Sequence, residues 1–254
     1  MTSETPAGEE HIVLGDVTLH KADCLEYLKT LADESVDMIL TDPPYYIGYD
    51  GGKGWDNQWA DEKEYLDWCA QWTAEAVRVL KPGRMLVVWG TLKTDTFLRY
   101  KLDVLNQQPQ LHGQTEIIWS YNWGGRTKNN FARKHEYAWC YSKGEKFLFN
   151  ADAVRIPRKV TTNLRTGQPY TKGTIPTAIW EKNNHTTSKD HCGWHPTTKN
   201  IDILSRLINA YTNPGETVCD IFSGSGSTAI ACLRTGRKFT GSEIDQDYYT
   251  QSDR

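Results

Sequence analysis

Apolar residues fall into two periods along the chain. Short continuous runs mark buried strands: "SVDMIL" (35–40), "RMLVVWG" (84–90), "TEIIWS" (115–120), "EYAWCYS" (136–142), "ETVCDIF" (216–222) and "KFTGSEI" (238–244). "VTLHKAD" (17–23) alternates as a shorter strand and ends on Asp23. Helical spacing appears at 24–34, 62–80, 95–105 and 200–212, the second of these stopped by Lys81-Pro82-Gly83. Strands alternating with helices predict an α/β fold with a mostly parallel, doubly wound sheet. From 143 to about 195 the periodicity fades into Thr, Asn, Gly and Pro with interleaved aromatics, among them Phe147, Phe149, Tyr170, Trp180 and Trp194. No internal repeat is visible.

Composition narrows this picture. The 254 residues, 38% of them hydrophobic, suffice for a single domain over 1–254. No stretch approaches the roughly 18 apolar residues of a membrane span. The polar, acidic start is unlike a secretory signal, and six scattered cysteines without CxxC pairs suit reduced thiols in the cytoplasm. "HCGWH", with His191, Cys192 and His195, has no second ligand pair at finger spacing, so no metal is expected. The net charge of −3 hides a segregation. Residues 1–70 carry a net charge of about −12 and residues 121–190 about +8, which predicts a basic insert at about 121–192 on an acidic body.

"DIFSGSGSTAIA" (220–231) sets Gly224 and Gly226 between a strand and a helix, where backbone can approach a ligand and the helix start offers N–H groups. Glu243 ends the next strand roughly 20 residues on, where an acid commonly holds ribose hydroxyls. The spacing is not GxGxxG, and a P-loop lysine is absent. A nucleoside site without a pyrophosphate cradle remains, which suits S-adenosylmethionine better than NAD. Too little chain follows the turn to complete a sheet, so the strand order is expected to be permuted, with Asp23 closing the site beside Glu243.

"LTDPPYYIGYD" (40–50) ends a buried strand on an acid, two prolines and two tyrosines. Pro43 and Pro44 enforce an extended turn and donate no N–H. The Asp42 carboxylate and Pro43 carbonyl therefore form an accepting face beside the Tyr45 ring. Such a face suits the exocyclic amine of a nucleobase: two acceptors on its N–H groups favour a pyramidal nitrogen and expose the lone pair to an electrophilic methyl. The base would have to leave the duplex first and rest on an aromatic ring.

"TDPPYYIGYDGGKGWDN", "RVLKPGRMLVVWG", "HPTTK", "DIFSGSGSTA" and "GSEIDQDYY", in that order, resemble the permuted (beta-class) amino-methylating DNA methyltransferases, which act on adenine N6 or cytosine N4. The resemblance covers nearly the whole chain apart from about 150–190. It implies a Rossmann-like methyltransferase fold, S-adenosylmethionine as cofactor and double-stranded DNA as partner. It further implies that Asp42 and Pro43, stiffened by Pro44, bind the target amine while Tyr45 stacks on the flipped base. Phe222, Gly224 and Gly226 would line the cofactor, with Asp42, Asp220, Ser225 and Ser227 bordering it, Glu243 on the ribose and Asp23 on the adenine. His195, Thr197 and Lys199 match the His-Pro-Thr-x-Lys segment beside the methionine part. An acid before Pro-Pro is commoner in adenine-N6 enzymes, and cytosine N4 stays open. Related permuted enzymes often pair, which leaves a homodimer open, and a cognate restriction endonuclease system stays open as well. The chain departs from the family pattern at Asn200 and Ile221, where proline is usual.

No cysteine follows a proline, which removes the base-carbon methyltransferases. RNA and protein-amide methyltransferases typically begin the turn with asparagine. A non-catalytic DNA binder would not need every catalytic position intact. Recognition is expected in the basic stretch. Arg126, Lys128, Arg133 and Lys134 are candidates for phosphates, and Arg158, Asn163, Arg165 and Gln168 for base edges.

Overall fold

Every residue of Val36–Thr41 is buried, which fixes this strand in the middle of the sheet. The structure, a computed structural model, describes residues 10–49, 51–122, 126–182, 195 and 197–252. Its strands are β1 (His11–Leu14), β2 (Val17–Lys21), β3 (Val36–Thr41), β4 (Leu80–Gly90), β5 (Leu111–Ser120), β6 (His135–Lys143), β7 (Ile179–Glu181), β8 (Thr217–Asp220) and β9 (Lys238–Glu243). They form one sheet in the order β1-β2-β9-β8-β3-β4-β6-β5-β7. From β2 through β4 all neighbours run parallel. The amino-terminal β2 pairs with the carboxyl-terminal β9, Val17 opposite Phe239 and Lys21 opposite Glu243, so the order is permuted as the sequence predicts.

The helices are α1 (Cys24–Thr30), α2 (Glu62–Val79), α3 (Asp95–Arg99), α4 (Ile201–Tyr211), α5 (Ser227–Thr235) and α6 (Gln246–Ser252). Strand alternation sends successive side chains to opposite layers. Met38, Leu40, Met85, Val87 and Trp89 join α4 and α5 in one core. Val36, Ile39, Leu86 and Val88 join α1 and α2 in the other. In α2 the buried positions Tyr65, Cys69, Trp72 and Ala76 recur at helical spacing, and the Asp61 carboxylate caps its start by accepting the Glu64 N–H at 2.9 Å. The fold is thus α/β and doubly wound. Parallel pairing brings Lys21, Glu243, Asp220, Thr41 and Gly90 to one edge of the sheet, the edge where open α/β folds bind ligands. β6 is antiparallel to β4, with Gly90 opposite Tyr137, so it begins at that same edge.

Several elements differ from the sequence reading. β1 and β7 are short edge strands that it lacks. β4 begins at Leu80, so Lys81-Pro82-Gly83 lies within the strand. Its pairing with β3 shifts register between Val36 and Met38, an irregularity that tolerates the missing proline N–H. The helix expected at 95–105 continues from α3 into a π-helical turn at Tyr100–Val104 and a 3-10 turn at Leu105–Gln107. The basic range 121–192 is not one insert. Core strand β6 divides it into an excursion at 121–134 and a second one from 144 onward, whose residues 183–192 lie outside the described residues. Asn200, where the resemblance leads one to expect proline, caps α4 by accepting the Ile203 N–H at 3.2 Å. Ile221 is buried in the α1–α2 layer. Both departures have local structural work. Among the described residues no helix is long and apolar enough to cross a membrane, and no acid, histidine or cysteine cluster could hold a metal. His191 and Cys192 lie outside the described residues.

Candidate active site

Thr41, 1% exposed, ends β3 and donates from Oγ1 to Asp220 Oδ1 at 2.8 Å. Asp220 Oδ1 also accepts the Phe222 N–H at 3.1 Å, and Oδ2 accepts the Thr228 hydroxyl at 2.7 Å. Burial pushes the Asp220 carboxyl up to about 6, against the opposing pull of these donors. A buried carboxyl with three donors thus ties the end of β3 to the turn after β8 across 179 residues of chain.

Beyond Thr41 comes the turn Asp42–Tyr45, with Pro43 buried and the Pro44 carbonyl accepting the Tyr65 hydroxyl at 2.9 Å. Asp42 is half-buried. Its Oδ1 accepts the Tyr45 hydroxyl, and its Oδ2 accepts the Lys199 ammonium at 2.5 Å. The sequence reading left this carboxylate with nothing but outward acceptors. In the structure one site on each oxygen is occupied, which orients the group while lone pairs remain. The Tyr45 ring meets Phe97 edge-on at 4.8 Å. Burial, then the Asp42 charge, raises the Tyr45 phenol well above its ordinary range, so it stays a donor. Asp56 folds the following loop back by accepting the Tyr46, Ile47 and Tyr49 N–H groups at 2.7, 2.8 and 3.1 Å.

Lys199, 5% exposed, lies between Asp42 and Glu136, whose Oε2 is 3.2 Å from Nζ. Burial alone would lower its pKa. Asp42 and then Glu136 outweigh that cost and hold it above the usual lysine range. His195 is neutral at ordinary pH, because burial depresses it to about 4. Its Nδ1 accepts the Thr197 N–H at 3.3 Å, which leaves the ring proton on Nε2, facing Gly224.

At the glycine turn Gly224 has φ +51 and Gly226, capping α5, has φ +72, both left-handed. Glu243, 7% exposed, accepts the Gly224 N–H on Oε2 at 2.7 Å and the Asp245 N–H on Oε1 at 2.8 Å. Its burial raises the carboxyl. Asp23 caps α1, Oδ1 accepting the Leu25 N–H at 2.8 Å. Phe222 packs one side on Trp68 and Trp72, each 5.6 Å away, and presents the other to the site.

These residues meet in one cavity of about 690 Å³. Asp23, Asp42, Pro43, Pro44, Tyr45, His195, Thr197, Lys199, Asp220, Phe222, Gly224, Ser225, Ser227 and Glu243 all line it, and Gly226 sits just behind. Arg133 reaches its rim, whereas Arg126, Lys128, Lys134, Arg158 and Arg165 do not line it. Arg126 and Lys128 are exposed, and Lys134 donates to the Asn122 carbonyl at 3.0 Å. In the second excursion Ile156 bridges Thr174 and Thr162 bridges Pro169, making a hairpin. The Arg158 guanidinium lies 3.8 Å from the Tyr170 ring centroid and donates to the Lys172 carbonyl, so it builds the hairpin. Asn163 is engaged in its apex, accepting the Arg165 N–H at 2.9 Å, while Arg165 is exposed there. Glu136 is a site residue that the sequence reading missed. It is the sole acid in the basic stretch 121–144, a signal that was available.

A permuted doubly wound sheet, with a glycine turn and an acceptor-rich Asp-Pro-Pro-Tyr turn facing one cavity, defines a Rossmann-like methyltransferase. The family described as DNA methylase (N6_N4_Mtase) matches residues 36–254, and the chain belongs to it. It is 30% identical over 235 residues to the Type II methyltransferase M.HpaI of Haemophilus parainfluenzae, covering 92% of this chain and 72% of that protein. It is 31% identical over 242 residues to the DNA adenine methyltransferase YhdJ of Escherichia coli (strain K12), covering 91% and 79%. Among solved structures, the PvuII DNA methyltransferase (cytosine-N4-specific) gives a TM-score of 0.73 at 20% identity over 93% of this chain and 84% of that one. The M1.HpyAVI–SAM complex gives 0.61 at 23% identity over 93% and 98%.

Proposed function

We propose that this DNA methylase moves a methyl group from S-adenosylmethionine to the exocyclic N6 of an adenine turned out of duplex DNA. The reading rests on one juxtaposition: the Asp42–Pro43 acceptors open into the same cavity as the glycine turn and Glu243. S-adenosylmethionine supplies an electrophilic methyl on a sulfonium. The residues fit it. Phe222 offers a flat apolar wall, and Glu243 keeps lone pairs for ribose hydroxyls. The Ser223 hydroxyl, which lines the cavity, is buried without a hydrogen-bond partner. Asp23 accepts from the adenine amine, and His195, Thr197 and Lys199 border the far end. Asp42 and the Pro43 carbonyl accept the two N–H groups of the target amine, drawing its lone pair out of conjugation. Tyr45 holds Asp42 and flanks the flipped base.

Gly224→Ala is expected to weaken binding of the donor at least tenfold in calorimetry, because an added Cβ would stand 2.8 Å from His195 Nε2 and the left-handed backbone costs a side chain about 1 kcal/mol. Unchanged affinity would remove the glycine turn from the donor site. Arg126, Lys128, Arg133 and Lys134 are assigned to phosphates, and Arg158 and Arg165 to the hairpin that meets base edges.

Adenine is favoured by the acid before Pro-Pro and by the adenine-methylating relative. Cytosine N4 is the second reading, favoured by the PvuII structure. Incubating unmethylated plasmid DNA with tritiated donor, then separating the digested nucleosides, decides: label in N6-methyladenine is expected. Label in N4-methylcytosine moves the target, and no label in any DNA ends the reading. The relatives called Type II support a restriction endonuclease as partner, and sedimentation velocity tests the homodimer.

A further inference from the structure

The excursion between β5 and β6 leaves the sheet at the edge that carries Asp42. Ser120 pairs with His135 at its base, and the Tyr121 N–H donates to the Lys134 carbonyl at 3.0 Å. Both limbs touch the cavity, Tyr121 on the outgoing one, Arg133 and Glu136 on the returning one. The Arg133 guanidinium donates to the Leu92 carbonyl, which ties the loop to the chain after β4. Two residues before Arg133, within about 7 Å of its backbone, stands Phe131, 95% exposed. Its N–H is held by Asn130 Oδ1 at 2.7 Å, and the Thr127 hydroxyl donates to the Asn130 carbonyl, so residues 127–131 are held together by local hydrogen bonds. Residues 126–134 include Arg126, Lys128, Arg133 and Lys134 and no acid.

A phenyl ring kept in water on a cationic loop has no role in the fold. The loop's charge matches a polyphosphate, and its position at the cavity rim matches the place where a duplex must surrender a base. We propose that Phe131 is a wedge that enters the base stack and fills the space the target base leaves, while the flanking cations hold the phosphates. An apolar ring entering the step recovers stacking and leaves water in one move. Leu164, 92% exposed, is the rival wedge, but no residue of 144–182 lines the cavity, so its hairpin is placed for sequence reading instead.

The inference rests on the proposed transfer to a flipped base. The site is first mapped by sequencing methylated plasmid DNA. Wild type, Phe131→Ala and Phe131→Leu are then compared on a duplex holding that site and on one with an abasic position opposite the target. On the matched duplex Phe131→Ala is expected to lose about tenfold or more in kcat/KM, with Phe131→Leu intermediate. On the abasic duplex, where the target is already loosely stacked, the loss is expected to shrink severalfold. Donor affinity, measured alongside, is expected to be unchanged in both variants. Equal losses on the two duplexes, or no loss on either, would overturn the wedge. A wild type that labels no DNA takes down both readings, whereas an active wild type with an unimpaired Phe131→Ala removes the wedge alone.

Discussion

Asp42→Ala is expected to lower methyl transfer by about a thousandfold or more, equivalent to about 4 kcal/mol at the transition state. The carboxylate is one of two acceptors available to the amine, since neither Pro43 nor Pro44 carries an N–H to reverse the polarity of the turn. Its geometry is also fixed in advance by Tyr45 and Lys199, so no reorganisation accompanies the reaction. Asp42→Asn separates charge from shape. An asparagine must turn its one carbonyl oxygen toward the Lys199 ammonium, which leaves an NH2 facing the target amine, donor against donor. We therefore expect Asp42→Asn to be nearly as inactive as Asp42→Ala while binding the donor and duplex DNA at close to wild-type strength. Single-turnover methylation, with donor binding by calorimetry and DNA binding by gel shift, measures the three quantities. Either variant within tenfold of wild type in single-turnover rate would remove Asp42 from the reaction.

Most of the strands that carry chemistry were legible because their positions are set by local pattern. Val36–Thr41 reads as buried on both faces, and it ends where two prolines forbid continuation. Glu243 likewise ends a run read as a strand, and β2 pairs with β9 in the permuted order that was expected. What escaped has a common cause. β1 and β7 are edge strands of 4 and 3 residues, too short to show a period. Tertiary pairing overrode the proline signal in β4. The Lys199–Asp42 ion pair joins residues 157 positions apart, and no spacing rule announces such a contact. The family resemblance implied a place for Lys199 beside a cofactor, and the fold adds a carboxylate on either side of it. Asn163 shows the opposite failure. A polar side chain that looks free to read a base is taken up by its own turn.

Lys199→Met carries the second large effect, and its signature is in pH. In the wild type, burial opposes the ammonium, yet Asp42 and Glu136 hold its pKa above the ordinary lysine value. Its contribution to stability is accordingly complete below the unfolded lysine pKa and is lost only as pH rises through the higher folded one. The charge persists across the neutral range, and no activity step from Lys199 is expected there. Methionine keeps much of the length and removes the charge, so two half-buried carboxylates are left with no cation between them. Such a pair retains a proton to higher pH than either alone. A protonated acceptor is lost to the amine. Transfer at pH 7 is expected to fall about a hundredfold, and the acid limb of the rate profile to move upward, so that residual activity climbs as pH rises. Removing the buried ammonium from between its two carboxylates is also expected to lower stability, measurable by urea unfolding. Glu136→Gln in the Lys199→Met background removes the second carboxylate and is expected to return the acid limb toward its original position. A Lys199→Met enzyme with the wild-type pH profile would show that the ammonium does not govern the protonation of the catalytic turn.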